Sequence, residues 1–499
     1  MRAENESKIA ESARIKAISE SARAERERKE ANQQRANAEH QSTVAVQQST
    51  RAESEAKRAE AERLKAEANA AEARAKKAEA EVARADAVKE KGVAVSAQKN
   101  AEQSQKETLR LSHLADARAL ALSILQLKDP QTSALLALEV YRLNRDNGGD
   151  PDDPAVFDAL RTARERLRPD PALKQQTNIR AMAMDPDGRN VLTAGDDGRI
   201  LRVAVGTGHA AVVGNAAGPV RTLAIGGGHL ATGGDGGVIE LRDLRNPSAS
   251  PRILTSGTAA VSSLAFAPAG ETLASANIDG SVKLWNVDRS GSPITLPGSS
   301  GKRVTAVAFS PDGKMVAAGR AQGGALLWHI AKPAEAPQTL CAGLDVRSIA
   351  FRPDGKLVAC GSGRGEIVQA PLGANTAAPP PMLGHTSSVN SLSFSRDGER
   401  LASASSDSTV RLWNLTNTNA QSIVLPGHQS WVWSVGFTPD GDHLVSGGED
   451  RTVRIWPAHV SLLAHDLCAA VSPQKKELSE KEWTKYMPNV DYRPGSACR

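Results

Sequence analysis

From Ile179 onward the chain alternates apolar and polar residues in short runs, each opened by a Val or an Ile. The stretch from Val389, "VNSLSFSRDGERLASASSDSTVRLWNL", shows the unit in full. Its opening alternation has period two, which predicts a strand with one apolar face. An Asp-Gly turn follows, then the small-residue strand "LASAS", a polar turn carrying Asp407, and a third strand ending at Trp413. Copies open at Ile179, Val220, Val261, Val304, Val346, Val389 and Val432, separated by 41, 41, 43, 42, 43 and 43 residues. "PDG" turns recur at Asp187, Asp312, Asp354 and Asp440, where Pro fixes one torsion and Gly accepts a positive φ. One sheet of three or four strands cannot bury both faces alone, so units of this period stack. A repeat of this length predicts a mainly β fold, a propeller of seven blades.

The N-terminal pattern has a different period. Residues 1 to 110 contain no Pro and a single glycine, Gly92, and are rich in Ala, Glu, Lys, Arg and Gln. These are strong helix formers, and a continuous helix of that length would extend about 165 Å. Its large aliphatics, Ile9, Ile15, Ile18, Val44, Val46, Leu64, Val82 and Val88, keep no single heptad register. A charged single helix and a weak self-associating coiled coil both remain open. From Thr108 an apolar face broadens through Leu109, Leu114, Leu120, Ile124 and Leu127. Asp129 then suits an N-cap and Pro130 the first helical position of a second helix, which ends at Gly148 and Gly149. A third helix, "AVFDALRTARERL", is closed by Pro169.

Beyond Trp456 the sequence "PAHVSLLAHDL" reads as helix, and Ser479 with Glu482 forms a capping-box pattern before "EWTKYM". The expected domains are a helical rod over 1–107, a helical hairpin over 108–169, the propeller over 170–460 and a helical tail over 461–499. Residues 171–177, "PALKQQT", are expected to supply the missing outer strand of the last blade and so close the ring.

Composition sharpens this division. All seven Trp lie beyond residue 280. The net charge of +5 conceals a rod with 23 basic and 20 acidic residues up to Arg110, interleaved in sign. Interleaving supports i,i+4 pairing along a solvated helix and argues against a nucleic-acid partner. No apolar run of 18 residues occurs, so no transmembrane segment is expected. The N-terminus lacks the apolar core of a signal peptide, which predicts a cytoplasmic protein, with membrane association through a partner left open. Of four cysteines, Cys341 and Cys360 are expected to pack as small apolar residues, while Cys468 and Cys498 are able to pair in an oxidising compartment.

On its seven in-register copies, the region resembles a WD40 repeat domain. In that family a structural tetrad links the His of a "GH" dipeptide, a Ser or Thr, the turn Asp and the Trp. The resemblance assigns it to His385, Ser403, Asp407 and Trp413 in the sixth repeat, and to His428, Ser446, Asp450 and Trp456 in the seventh. The third repeat keeps Ser275, Asp279 and Trp285 without the His; the fourth keeps Trp328 but has Gln322 in place of Asp. The first keeps Thr193 and Asp197 without Trp, the second has a shortened turn at Asp235, and the fifth has Arg364 and no Trp. The first, second and fifth blades are therefore expected to be the least rigidly defined. The stretch "LADARALALSIL" with "DPQTSALLALEVYRL", and the tail with its Glu-Trp…Tyr core, resemble segments flanking the propeller in bacterial STAND-type signalling proteins.

No metal-ligand spacing, nucleophile elbow or phosphate-binding loop in a strand-to-helix setting occurs. The expectation is a protein with no catalytic residues, no metal and no cofactor, in which the turn aspartates serve construction. The resemblance implies a protein or peptide partner on the propeller face. By the same resemblance, residues directly after each leading Val or Ile lie near its rim, and Arg180, Arg221, Arg347, Asn390 and Trp433, with Trp431 beside it, are the candidate anchors. They would suit an acidic or aromatic peptide. The leading expectation is a non-enzymatic scaffold, spaced or self-associated through the rod. The alternative is the sensor portion of a STAND-like signalling or defence system whose effector lies elsewhere.

Overall fold

The computed structural model describes residues 2–76, 83–168, 173–246, 249–255, 257–289, 291–299, 301–373, 377–417, 421–471, 477–492 and 498. The expected stop at Pro169, residues 171 and 172 of the closing strand, and the side chains of Val44, Val46, Val82 and Val88 lie outside them. Two compact units form. One comprises the chain up to Gly149 together with the helix near the C-terminus; the other runs from Asp150 through the propeller and includes Cys498.

In the first unit the chain is helical over α1 (Arg2–Lys76) and α2 (Ala83–Ile124). The boundary expected between 107 and 108 falls inside α2, because nothing there breaks a helix: the apolar face begins in mid-helix without a stop. Ile9, Ile15, Ile18 and Leu64 of α1 are well exposed. Helix α3 (Pro130–Asp146) starts as its sequence dictates: Asp129 accepts from the Thr132 N–H at 2.9 Å, with Pro130 in the first turn. Its apolar face buries Ala134, Leu135, Leu136, Leu138 and Val140, and α2 packs on α3.

In the second unit, α4 (Pro154–Leu167) is capped by Asp153 and packs on α5 (Val460–Ala470), with Arg164 3.6 Å from Asp466. The C-terminal helix of the first unit, α6 (Glu480–Tyr486), carries the full capping box of Ser479 and Glu482, and buried Trp483 donates its indole N–H to the Val490 carbonyl at 2.7 Å.

The propeller has seven antiparallel sheets, and their innermost strands neighbour one another in cyclic order. In the sixth blade the order from centre to rim is Val389–Phe394, Arg400–Ser405, Val410–Asn414 and Ile423–Leu425. The seventh blade has Val432–Phe437, His443–Gly448 and Thr452–Pro457, and its outermost strand is Leu173–Lys174, from before the first blade. Leu173 pairs with Val453 and Lys174 with Thr452, so the ring closes by joining chain start to chain end. Among the described residues the fifth blade has three strands, Val346–Phe351, Leu357–Ser362 and Ile367–Pro371, with a single bridge from Ile367 to Met382 beyond them. Pro379, Pro380 and Pro381 immediately precede Met382 and lack the N–H that a ladder requires.

The cores lie between blades. Trp328 of the fourth blade packs with Ala274 and Val282 of the third, and Ile179 and Val191 of the first with Val445 and Val453 of the seventh. The small residues of each second strand, Ala402 and Ala404 for example, are wholly buried there, which is what lets adjoining sheets approach closely.

Cysteine pairing departs from the sequence expectation. Cys341 and Cys360 do not pack as free apolar residues but form a disulfide, and Cys468 is bonded to Cys498. Strand folding brings residues 19 apart in sequence within bonding reach, a proximity that spacing alone does not reveal.

Candidate protein-interaction face

The sixth blade shows how the turn Asp is held. The His385 ring lies 2.8 Å from Asp407 through Nδ1 and 2.7 Å from Ser403 Oγ through Nε2, and the Trp413 indole donates to Ser403 Oγ at 2.8 Å. These partners assign the proton to Nδ1: Trp N–H donates to Ser, Ser O–H donates to His, and His N–H donates to the carboxylate. Asp407 also accepts from the Thr386 and Thr409 backbone N–H groups at 3.0 and 2.9 Å. Burial would raise its pKa, but the hydrogen bond from His385, with those from Thr409 and Thr386, outweighs it and holds the carboxyl well below the usual range. The seventh blade repeats the network: His428 is 2.9 Å from Asp450 and 2.8 Å from Ser446, and Trp456 is 2.8 Å from Ser446. Asp450 is depressed for the same reasons.

The other blades satisfy the same positions by other means. In the third, Trp285 donates to Ser275 at 2.9 Å, while exposed Asp279 only caps its own turn through Ser281. In the fourth, Ala318 stands where a Ser would, and Trp328 donates instead to the Pro297 carbonyl at 2.9 Å. In the first, Gln175 meets Thr193 Oγ1 at 2.9 Å, whereas Asp197 is exposed and accepts from the Arg199 N–H. Sequence reading passed over Gln175. The available signal was its offset: 18 residues before Thr193, as His385 is before Ser403.

In the second blade, Arg242 pairs with Leu230 in the register held elsewhere by Trp. It donates to Glu240 at 2.7 Å, and Glu240 accepts from the Ala217 N–H at 2.6 Å. Two of the blades expected to be loosest thus carry substitute locks.

The rim residues are also largely committed. Arg180 lies 3.1 Å from Asp196 and 3.3 Å from Glu449, and its guanidinium sits 4.9 Å over the Trp433 ring. Arg221 pairs with Asp235, and Arg347 with Asp345 at 2.9 Å. Each of these arginines therefore already has an acid partner within the fold. Asn390 donates to the Val432 carbonyl of the next blade and to Ser406, both at 2.9 Å. Ser262 and Thr305, at the same register, likewise donate to Val304 and Val346 of the following blades, so these positions stitch blade to blade.

Trp431 is the exception. The residue is 49 % exposed. It stands edge-on to Trp433, 5.5 Å between centroids, and Trp433 is fixed by donating to Glu449 at 3.0 Å. Beside the exposed indole, Trp433, Glu449 and Arg180 are joined by a hydrogen bond, a cation–π contact and an ion pair that span the seventh and first blades.

Six segments, 172–201, 250–286, 292–329, 338–367, 380–414 and 419–457, match the family described as WD domain, G-beta repeat. The propeller carries WD40 repeats. The three inner strands of the second blade, Val220–Gly226, His229–Gly234 and Val238–Asp243, lie outside the matched segments, in keeping with its shortened turn and its Arg242–Glu240 lock. No curated protein matches the chain. WD40 propellers generally serve as platforms for protein partners. Among the described residues, no group of three or more His, Cys, Asp or Glu is placed to hold a metal ion, and no helix is long and apolar enough to cross a membrane.

Proposed function

We propose that this WD40 propeller is a non-enzymatic scaffold whose partner docks on the rim where the seventh blade meets the first, with Trp431 as the central contact. The half-exposed indole set edge-on against Trp433, itself bonded to Glu449, carries this reading. A large aromatic that is already positioned loses little conformational freedom on binding, and such residues dominate interface energies. Because Arg180, Arg221 and Arg347 are neutralised by Asp196, Glu449, Asp235 and Asp345, the fitting partner is a peptide that covers Trp431 with an apolar or aromatic side chain, rather than a chain of acids. The helical rod, with its interleaved charge and exposed Ile9, Ile15 and Ile18, acts as a spacer for the scaffold.

Affinity capture with the full chain, followed by titration of each recovered partner, tests this. Trp431→Ala should weaken a true rim partner about a hundredfold, as hot-spot truncation does, with unchanged circular dichroism. Partners bound equally by the variant would place the docking surface elsewhere.

A further inference from the structure

The fifth blade has lost its tetrad. Arg364 stands at the Asp position and Ala370 at the Trp position, paired with Val358 as Trp413 is with Leu401. Cys360 occupies the Ser position: it pairs with Ile349 and Val368, as Ser403 pairs with Leu392 and Arg411. Cys341 lies 19 residues before Cys360, next to the place of the tetrad His, which precedes its Ser by 18. The bond between them therefore joins the same two parts of the blade that the His385–Ser403 hydrogen bond joins in the sixth. Among the described residues this blade also has only a bridge where the others have a fourth strand, so fewer ladder bonds hold its outer edge.

We propose that the Cys341–Cys360 disulfide is a covalent replacement for the tetrad, and that its reduction releases the fifth blade. Cys360 is fully buried and Cys341 is partly exposed, so a dithiol reductant attacks at the Cys341 sulfur. The S–S bond breaks, a mixed disulfide forms on Cys341, and the second thiol of the reductant resolves it. Cys341 and Cys360 together gain two electrons and two protons, and the reductant leaves as a disulfide.

What is freed is the loop leading into the blade. Its other ties include backbone bonds, Leu344 O accepting from Gly323 and Gly324 at 3.1 and 2.9 Å and Asp345 O from Gly363 at 2.8 Å, and the packing of Leu344 on the core around Val346. The same loop carries the carboxylate that pairs with rim Arg347. The locked form belongs to an oxidising environment. This assignment holds whatever binds at Trp431.

Hydrogen–deuterium exchange on the full chain tests the proposal, with Cys468→Ser/Cys498→Ser introduced so that one disulfide remains. Dithiothreitol should speed exchange in 338–371 roughly tenfold or more, leaving the sixth blade unchanged. Cys341→Ser/Cys360→Ser should show the same fast exchange without reductant. Adding Ala342→His, Arg364→Asp and Ala370→Trp to that pair rebuilds a tetrad and should restore protection that dithiothreitol does not alter. If that graft fails to fold, the two preceding measurements decide. Alkylation of Cys341 and Cys360 before any reduction, or exchange in 338–371 indifferent to reductant, would overturn the proposal.

Discussion

Arg400 and Asp152, 248 residues apart, form a two-pronged ion pair: Nη2 lies 2.8 Å from Oδ1 and Nε 3.1 Å from Oδ2. The pair ties the loop before α4 to the second strand of the sixth blade, and Asn414 adds a bond to Asp152 at 3.1 Å. Both partners are nearly buried, with side chains 16 % and 7 % exposed. Asp152→Ala leaves the guanidinium buried without its counter-charge and should destabilise the propeller by about 3 kcal/mol. Chemical denaturation followed by tryptophan fluorescence checks this; an unchanged midpoint would show that the clasp adds nothing.

Stability near neutrality should depend on His459, which accepts from Arg400 and lies 3.1 Å from the Gly441 carbonyl. Burial, and next the Arg400 charge, push its pKa below the ordinary value. A base whose folded pKa is depressed binds fewer protons folded than unfolded, so stability falls as pH drops below about 6.5. Thermal melts from pH 7.5 to 5.5 should show this fall, and His459→Gln should flatten it.

A separate acid limb is expected from Asp407 and Asp450, whose pKa values are held down by their His partners against the effect of burial. Depressed carboxyls contribute stability that is complete above about pH 4 and lost as pH falls towards the folded values. Asp407→Asn/Asp450→Asn should be less stable at pH 7 and lose less stability between pH 4 and 2. A double variant with the wild-type acid slope would remove these carboxylates as the source.

Two serines in equivalent positions should differ in worth. Ser403→Ala orphans both the His385 ring and the Trp413 indole, whereas Ser275→Ala orphans only Trp285. The first should cost about 3 kcal/mol and the second about 1.5 kcal/mol, since each buried unpaired group carries its own desolvation penalty. Equal losses in urea denaturation would contradict this accounting.

The first blade offers a milder case. Gln175→Ala leaves the fully buried Thr193 hydroxyl without its side-chain partner. A loss of about 1–2 kcal/mol is expected, readable as faster exchange in 190–195 before the rest of the ring opens.

What the sequence by itself determined is whatever is local and repeated. Period-two alternation, Asp-Gly turns and a repeat near 42 residues specify strands and their number, because each blade reuses the same backbone conditions. Asp129, Pro130, Ser479 and Glu482 marked helix starts for the same reason: a cap is satisfied within one turn. Tertiary structure decided everything that depends on which distant groups meet. It paired each rim arginine with an acid, put Gln175 and a disulfide where histidines stand in other blades, and joined Asp152 to Arg400. It also left Trp431 half-exposed while fixing Trp433. A charged or polar side chain takes the partner that folding brings within about 3 Å, and that distance is set by the closed ring, not by neighbours in the chain.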